Sequence, residues 1–238
     1  MNIILFSHLH AENSLPLSDY RALHIRKILK LGVGGQFLAG EINGVKGLAT
    51  ILSQDSENLF FSFIGGEPSP PLYPINLMVA QVRPICMRRI LREAVSLGVS
   101  RIILTGSDTT EKSYADAKLY TNGEYRSILL DGAMQSGETG VSDVVFAKTV
   151  EDAISGLEIT GTRIVLDNVM EAKSLSSFPA PVIPVVLAIG GERGFTDRER
   201  SLFTASGFVP ASLGKRILRT ETASSAGLAV LLGRMSLL

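Results

Sequence analysis

The residue types best suited to chemistry gather towards the carboxyl end. An apolar run, Val182–Ile189, passes directly into Gly190-Gly-Glu-Arg-Gly-Phe-Thr196. Glycines at the carboxyl end of a strand let backbone approach a ligand closely. That edge is where open α/β sheets bind ligands. Gly190, Gly191 and Gly194 are therefore candidate binding positions. The same pattern also describes a plain strand-to-helix turn. Thr196 and Glu199 have the spacing of a capping box for the helix that follows.

A second segment, Leu213-Gly-Lys-Arg-Ile-Leu-Arg-Thr-Glu-Thr222, makes a similar passage from strand to helix. Lys215, Arg216 and Arg219 lie close together, and Thr220, Glu221 and Thr222 open the helix. Positive side chains beside a helix N-terminus suit an anionic ligand or an RNA phosphate. A solvated basic loop with an ordinary cap has the same composition. Further basic groups stand on two expected helices: Arg88, Arg89 and Arg92 after Arg83-Pro84, and Arg26, Lys27 and Lys30 beside His24. They are solvated helix faces or the walls of one RNA groove.

Several familiar sites are absent. Gly207 and Gly214 precede Lys215 at the wrong spacing for a P-loop, and Arg216 stands where Ser or Thr is required. Gly190, Gly191 and Gly194 do not form a dinucleotide fingerprint, and no G-x-S-x-G occurs. With three His and one Cys, no zinc site is expected. His8 and His10 share one face of an expected strand and read as surface residues.

The elements that must carry these residues follow from the pattern. A chain of 238 residues holds one large domain or two modest ones. Gly65-Gly-Glu-Pro-Ser-Pro-Pro-Leu-Tyr-Pro74 excludes helix and central strand, so a boundary is placed there, with domains at 1–70 and 75–238. Before it, strand-like pieces surround one helix, capped by Ser18 with Leu23, Ile28 and Leu31 as its apolar face. After it, strands alternate with helices, which argues a parallel α/β sheet covered on both faces. Pro84 opens one helix and Gly98 closes it. A helical stretch runs from Ala115 to Gln135, interrupted by Gly123 and Gly132. Thr149 caps a short helix, and Thr220–Met235 closes the chain; its stretch Ala223–Leu232, small and apolar almost all round, is expected to be buried or in an interface.

Composition narrows the partners. Lys plus Arg equals Asp plus Glu at 23 each, so any nucleic-acid site must be a local patch. A single cysteine, Cys86, rules out an internal disulfide and fits a reducing compartment. The amino terminus lacks a basic n-region, and no apolar run reaches about 20 residues, so a soluble cytoplasmic protein is expected.

The two carboxyl-terminal segments resemble the RsmE family of ribosomal RNA uridine methyltransferases, in the SPOUT superfamily. Ile189-Gly-Gly-Glu-Arg-Gly-Phe195 is similar to its I-G-P-E-G-G-F loop, and Leu213–Thr222 to its L-G-x-R-I-L-R-T-E-T motif. His24–Gly32 resembles the family's first helix, and Gln81 with Glu93–Val99 its Q…K-x-x-E-L-G-V segment. Gly191 stands for the motif's Pro and Arg193 for a Gly, while Met134–Glu138 replaces E-Q-x-x-R and Ser142 a Pro.

The resemblance implies a small PUA-like β-barrel followed by a SPOUT α/β domain with a trefoil knot. It implies a homodimer that binds S-adenosyl-L-methionine and methylates N3 of a uridine in 16S rRNA of the small ribosomal subunit. Leu166, Ile189, Gly190, Gly191, Glu192, Gly194, Leu213, Gly214, Arg216, Ile217, Leu218, Thr220 and Thr222 would form the cofactor cradle. Arg219 would stabilise developing charge, with Glu221 or Glu192 handling the proton. His24, Arg26, Lys27, Lys30, Arg83, Arg88, Arg89 and Lys215 would contact RNA. Methylation of another rRNA or tRNA site, and a non-catalytic RNA-binding assembly factor, remain the alternatives.

Overall fold

The computed structural model describes residues 2–158 and 160–238. Met1, where the amino-terminal stretch read above begins, lies outside the described residues. The chain divides into two compact units, Met1–Pro71 with Ala133–Val141, and Leu72–Gly132 with Ser142–Leu238.

In the first unit, period-two alternation decides the structure. Strands β1 (Ile4–Phe6) and β2 (Glu12–Pro16) are followed by a single helical turn, α1 (Tyr20–Leu23). Then come β3 (Gln36–Glu41), β4 (Val45–Gln54) and β5 (Asn58–Pro68). The sheet order is β1-β3-β4-β5-β2, with β1 parallel to β3 and the other pairs antiparallel. Phe37 and Ala39, Ala49 and Ile51, and Leu59 and Phe61 point inward from successive strands. Leu38, Leu48 and Ile64 pair across the outer face. The segment Ala133–Val141 joins this unit through hydrogen bonds. Asn2 and Ile3 N–H donate to Met134 O, and Asn43 N–H donates to Thr139 O. Glu138 accepts from Lys46 Nζ at 2.6 Å.

Three details differ from the sequence reading here. Asp19, not Ser18, caps α1, accepting from Arg21 N–H at 2.8 Å. The helix then widens into a π turn over His24–Ile28. One extra residue per turn shifts the phase, so Ala22 and Ile25 are buried while Ile28 is 67% exposed. His8 and His10 lie between β1 and β2, outside any strand, and both are exposed.

The second unit alternates as expected. It runs β6 (Tyr73–Ala80), α2 (Pro84–Ser96), β7 (Val99–Thr105), α3 (Lys118–Thr121) and α4 (Glu124–Ser136), whose residues from Ala133 onward count with the first unit. It continues with β8 (Asp143–Ala147), α5 (Val150–Ser155), β9 (Arg163–Leu166) and β10 (Lys173–Ser174). It closes with β11 (Val185–Ile189), α6 (Asp197–Ala205), β12 (Val209–Ser212) and α7 (Thr220–Arg234). The strands form one parallel sheet in the order β10-β12-β9-β11-β6-β7-β8. β11 is buried at every position, as a central parallel strand covered on both faces must be.

Helix α2 buries Met87, Ile90, Leu91, Ala94 and Val95, the i, i+3, i+4, i+7, i+8 stripe of an amphipathic helix. α7 packs against α2 and lies on the sheet beside it, where a Cβ on Gly227 would come within 2.7 Å of Leu166 Cδ1. A side chain at position 227 would have to displace the tip of Leu166. On the other face, Phe195, Phe203 and Phe208 pack with Met78, Val165 and Val186.

The Pro/Gly stretch carries strand ends rather than excluding them. Pro68 closes β5 opposite Val45, beyond the last residue paired with β2. Pro74 sits at the irregularity between Tyr73 and Asn76 in the β6–β7 ladder. Both are places that spare a proline its missing N–H. The expected helix from Ala115 to Gln135 is two helices, parted at Gly123, while Gly132 lies inside α4 without breaking it. The expected strand from Val182 starts only at Val185, after Pro184.

Asp19 offers a direct test of the first unit. Hydrogen bonding from Arg21 holds its carboxyl below the ordinary value, and the Arg21 guanidinium lies 4.6 Å from the Phe6 ring centroid. Asp19→Ala should cost about 1 kcal/mol by urea unfolding at neutral pH. Because the folded pKa is lowered, this contribution is full above the ordinary carboxylate value. It is lost as pH falls through the folded one, so the gap between wild type and variant should close in acid.

Candidate functional site

Strand order builds the site. β12, β9 and β11 are neighbours and parallel, so their carboxyl ends open on one edge. The segments leaving them, after Leu166, Ile189 and Ser212, wall a cleft of about 350 Å³, within the range of small-molecule sites. All of it lies in the second unit.

The Gly190–Gly194 loop folds tightly on itself. Gly194 N–H donates to Gly191 O at 3.0 Å. A Cβ on Gly190 would stand 2.9 Å from Gly194 Cα, so no side chain fits there without moving backbone. Thr220 Oγ1 donates to Gly190 O at 3.3 Å, tying α7 to the loop. Phe195 anchors the far end in the core, and Thr196 and Glu199 form both arms of the capping box.

The structure brings most of the expected cradle together. Leu166, Ile189, Gly190, Gly191, Glu192, Gly194, Leu213, Gly214, Arg216, Ile217, Leu218 and Thr220 all line the cleft. Thr222 is exposed and does not line it; two positions beyond Thr220 on a helix, it faces the other way. Arg219 is exposed at the N-cap of α7, between Leu218 and Thr220 on the wall. Glu192 lines the cleft and pairs with Arg83, whose Nε lies 3.5 Å and N–H 3.4 Å from Oε1. Glu221 instead meets Cys86, with Sγ to Oε1 at 3.7 Å. Burial first, and then that carboxylate, push the Cys86 thiol pKa up.

The basic candidates fall on both units. In the second, Arg88 is engaged by Glu124, while Arg89 and Lys215 are exposed. In the first, Lys27 and Lys30 are exposed and Arg26 is half-buried. His24 has its Nε2 enclosed without a hydrogen-bond partner, and burial holds its pKa below the usual value. Among the described residues, no cluster of His, Cys, Asp or Glu is placed to hold a metal ion. No helix among them is long and apolar enough to cross a membrane.

Sequence reasoning missed one wall. Asp167, Asn168 and Val169, together with Arg200, line the cleft. Asp167 Oδ1 accepts from Val169 and Met170 N–H at 2.7 and 2.9 Å, and Oδ2 accepts from Arg200 Nε at 3.0 Å. The available signal was an Asp directly after a strand, where its side chain shapes the turn.

The Asp167 side chain is 2% exposed and that of Arg200 15%. Removing one partner of a buried pair leaves the other charge uncompensated. Arg200→Met should cost about 3–5 kcal/mol by denaturant unfolding, and adding Asp167→Asn should recover part of it.

Comparison with known proteins places this arrangement. The RNA methyltransferase domain model matches residues 68–232. Ribosomal RNA small subunit methyltransferase E of Treponema pallidum is 37% identical over 98% of this chain and 91% of that protein. Ribosomal RNA small subunit methyltransferase E 1 of Borreliella burgdorferi is 32% identical over 95% of each. A ribosomal RNA small subunit methyltransferase E from Neisseria gonorrhoeae, solved bound to S-adenosyl methionine, shares the fold. Its TM-score is 0.81 at 22% identity, over 98% of this chain and 97% of that one. With its parallel-sheet cleft walled by the same two segments that carry the sequence resemblance, the chain belongs to the RsmE family of RNA methyltransferases.

Proposed function

We propose that this chain is a cytoplasmic enzyme that methylates N3 of a uridine in 16S ribosomal RNA of the small subunit, with S-adenosylmethionine as donor. One observation carries the reading: both segments of family resemblance, distant in sequence, wall one small-molecule-sized cleft. The residues present fit the donor. Gly190 leaves backbone bare at the cleft, and Leu166, Ile189, Leu213 and Leu218 supply apolar surface for a nucleoside. When bound, S-adenosylmethionine supplies an electrophilic methyl group on a sulfonium.

The protein's own residues must then prepare the nucleophile. N3 of uridine carries a proton and attacks poorly until that proton leaves. Its departure spreads negative charge over O2 and O4. Arg219, beside the cleft wall at the N-terminus of α7, is assigned to stabilise that charge, helped by the helix N–H groups behind it. Glu192 is favoured over Glu221 as proton acceptor, because it lines the cleft. Arg83, its partner, would hold it in place until RNA enters. Arg89 and Lys215, with Lys27 and Lys30 of the first unit, are assigned to RNA phosphates. The first unit is read as the RNA-binding domain. The partly exposed Ala226 and Ala229 of α7 are assigned to a homodimer contact, and the path around the cleft is read as the superfamily's knot.

Calorimetric titration with S-adenosylmethionine tests the reading, followed by mapping of methylated bases on small subunits. Micromolar binding and a new N3-methyluridine are expected. No binding, with or without RNA, overturns the catalytic reading, and a methyl group elsewhere assigns another target. Arg219→Ala should lower turnover by about 10²–10³-fold while leaving donor affinity unchanged. Equal loss of both would remove Arg219 from this role.

A further inference from the structure

Glu199 is fully buried, at 0% exposure, in the first turn of α6. A capping box explains one of its contacts, the Thr196 N–H at 2.8 Å. It does not explain the rest. Its other oxygen, Oε1, accepts the N–H of Asp108 at 2.9 Å, and Ser107 Oγ donates to Oε2 at 3.3 Å. Both come from the loop that leaves β7, far away in sequence.

That loop straps the glycine loop of the cleft. Thr109 Oγ1 donates to Gly194 O at 3.1 Å. Thr110 Oγ1 donates to Gln81 O at 3.3 Å, beside Gly191. Thr196 Oγ1 donates to Asp108 Oδ2 at 2.7 Å. Outside these, Arg198 pairs with both Asp108 and Glu151.

We propose that Glu199 is a positioning residue for the donor pocket: its buried carboxylate locks the Ser107–Thr110 strap to the end of the Gly190–Gly194 loop and so sets the shape of the cleft wall. The proposal rests on reading that cleft as the S-adenosylmethionine site. Its physical basis is that each carboxylate oxygen accepts a different backbone N–H, one from each loop. An amide has one acceptor oxygen, and its NH₂ would face the other N–H. Glutamine therefore keeps the size and the capping arm but cannot serve both loops.

The test is Glu199→Gln, with binding and kinetics measured on the full chain. S-adenosylmethionine affinity should fall by about tenfold or more, because a buried N–H without an acceptor disfavours the wall conformation that binds the donor. KM for the donor should rise, while KM for RNA and the cooperativity of thermal unfolding stay unchanged. Retained donor affinity overturns the proposal. So does a parallel loss of donor and RNA affinity, which marks a merely structural role. Should Glu199→Gln fail to fold, Thr109→Val breaks the strap at its contact with Gly194. It is expected to weaken donor binding several-fold in a folded protein, and unchanged binding overturns the proposal. Wild-type protein that takes up no S-adenosylmethionine overturns the cofactor reading and this proposal with it, whereas a wild type that binds beside an unimpaired variant overturns this proposal alone.

Discussion

The cleft depends on the order in which strands sit side by side. β11 lies between β9 and β6, and β12 lies on the far side of β9. Parallel pairing sends all their carboxyl ends to one edge. A central strand buried on both faces has no room for polar side chains, so chemistry is displaced to the segments just beyond. Those beyond β9, β11 and β12 converge because the strands are neighbours, although they are well separated along the chain. Moving any one strand would dissolve the cleft without altering a single motif.

Two buried carboxylates then fix the walls. Asp167 shapes the turn after β9 and is held to α6 by Arg200. Glu199, one position before Arg200 on the same helix, reaches the loop after β7. α6 thus carries the acid that anchors the strap after β7 and the cation that holds Asp167 on the cleft wall. Both groups are satisfied, which a low-dielectric interior demands. Leaving a buried acceptor unpaired is expensive, so each loop has few alternative positions. Rigid loops on a rigid sheet suit a site that must align a donor and an acceptor closely.

Much of this was legible in the sequence, for local reasons. The apolar run before Gly190, the Thr196–Glu199 spacing and the Pro84 helix start are short-range signals, and the structure contains all three. The cleft-lining positions on the two motif segments are indicated by family resemblance and, for the glycines, by their place after a strand. What stayed hidden was long-range. Nothing near Asp167 reveals that its partner is Arg200, and nothing near Glu199 reveals Asp108. The apolar face of the first helix departs from the regular helical period because a π turn interrupts it. Ser18 lost to its neighbour Asp19 because Arg21 lies within reach of the longer acid.

The departures from the family pattern also have physical consequences. A Cβ at Gly191 would meet nothing closer than 3.6 Å, so space does not demand glycine there. The family's proline would restrict that position in the unfolded chain, and glycine gives up the restriction. Ordering this loop therefore carries a larger entropic cost. The hydrogen bonds that offset it run from outside the loop: Thr220 to Gly190 O and Thr109 to Gly194 O. A loop held by its neighbours rather than by its own covalent stiffness makes those neighbours part of the site. On this account the strap after β7 and the acid that anchors it belong to the site as much as the loop they hold.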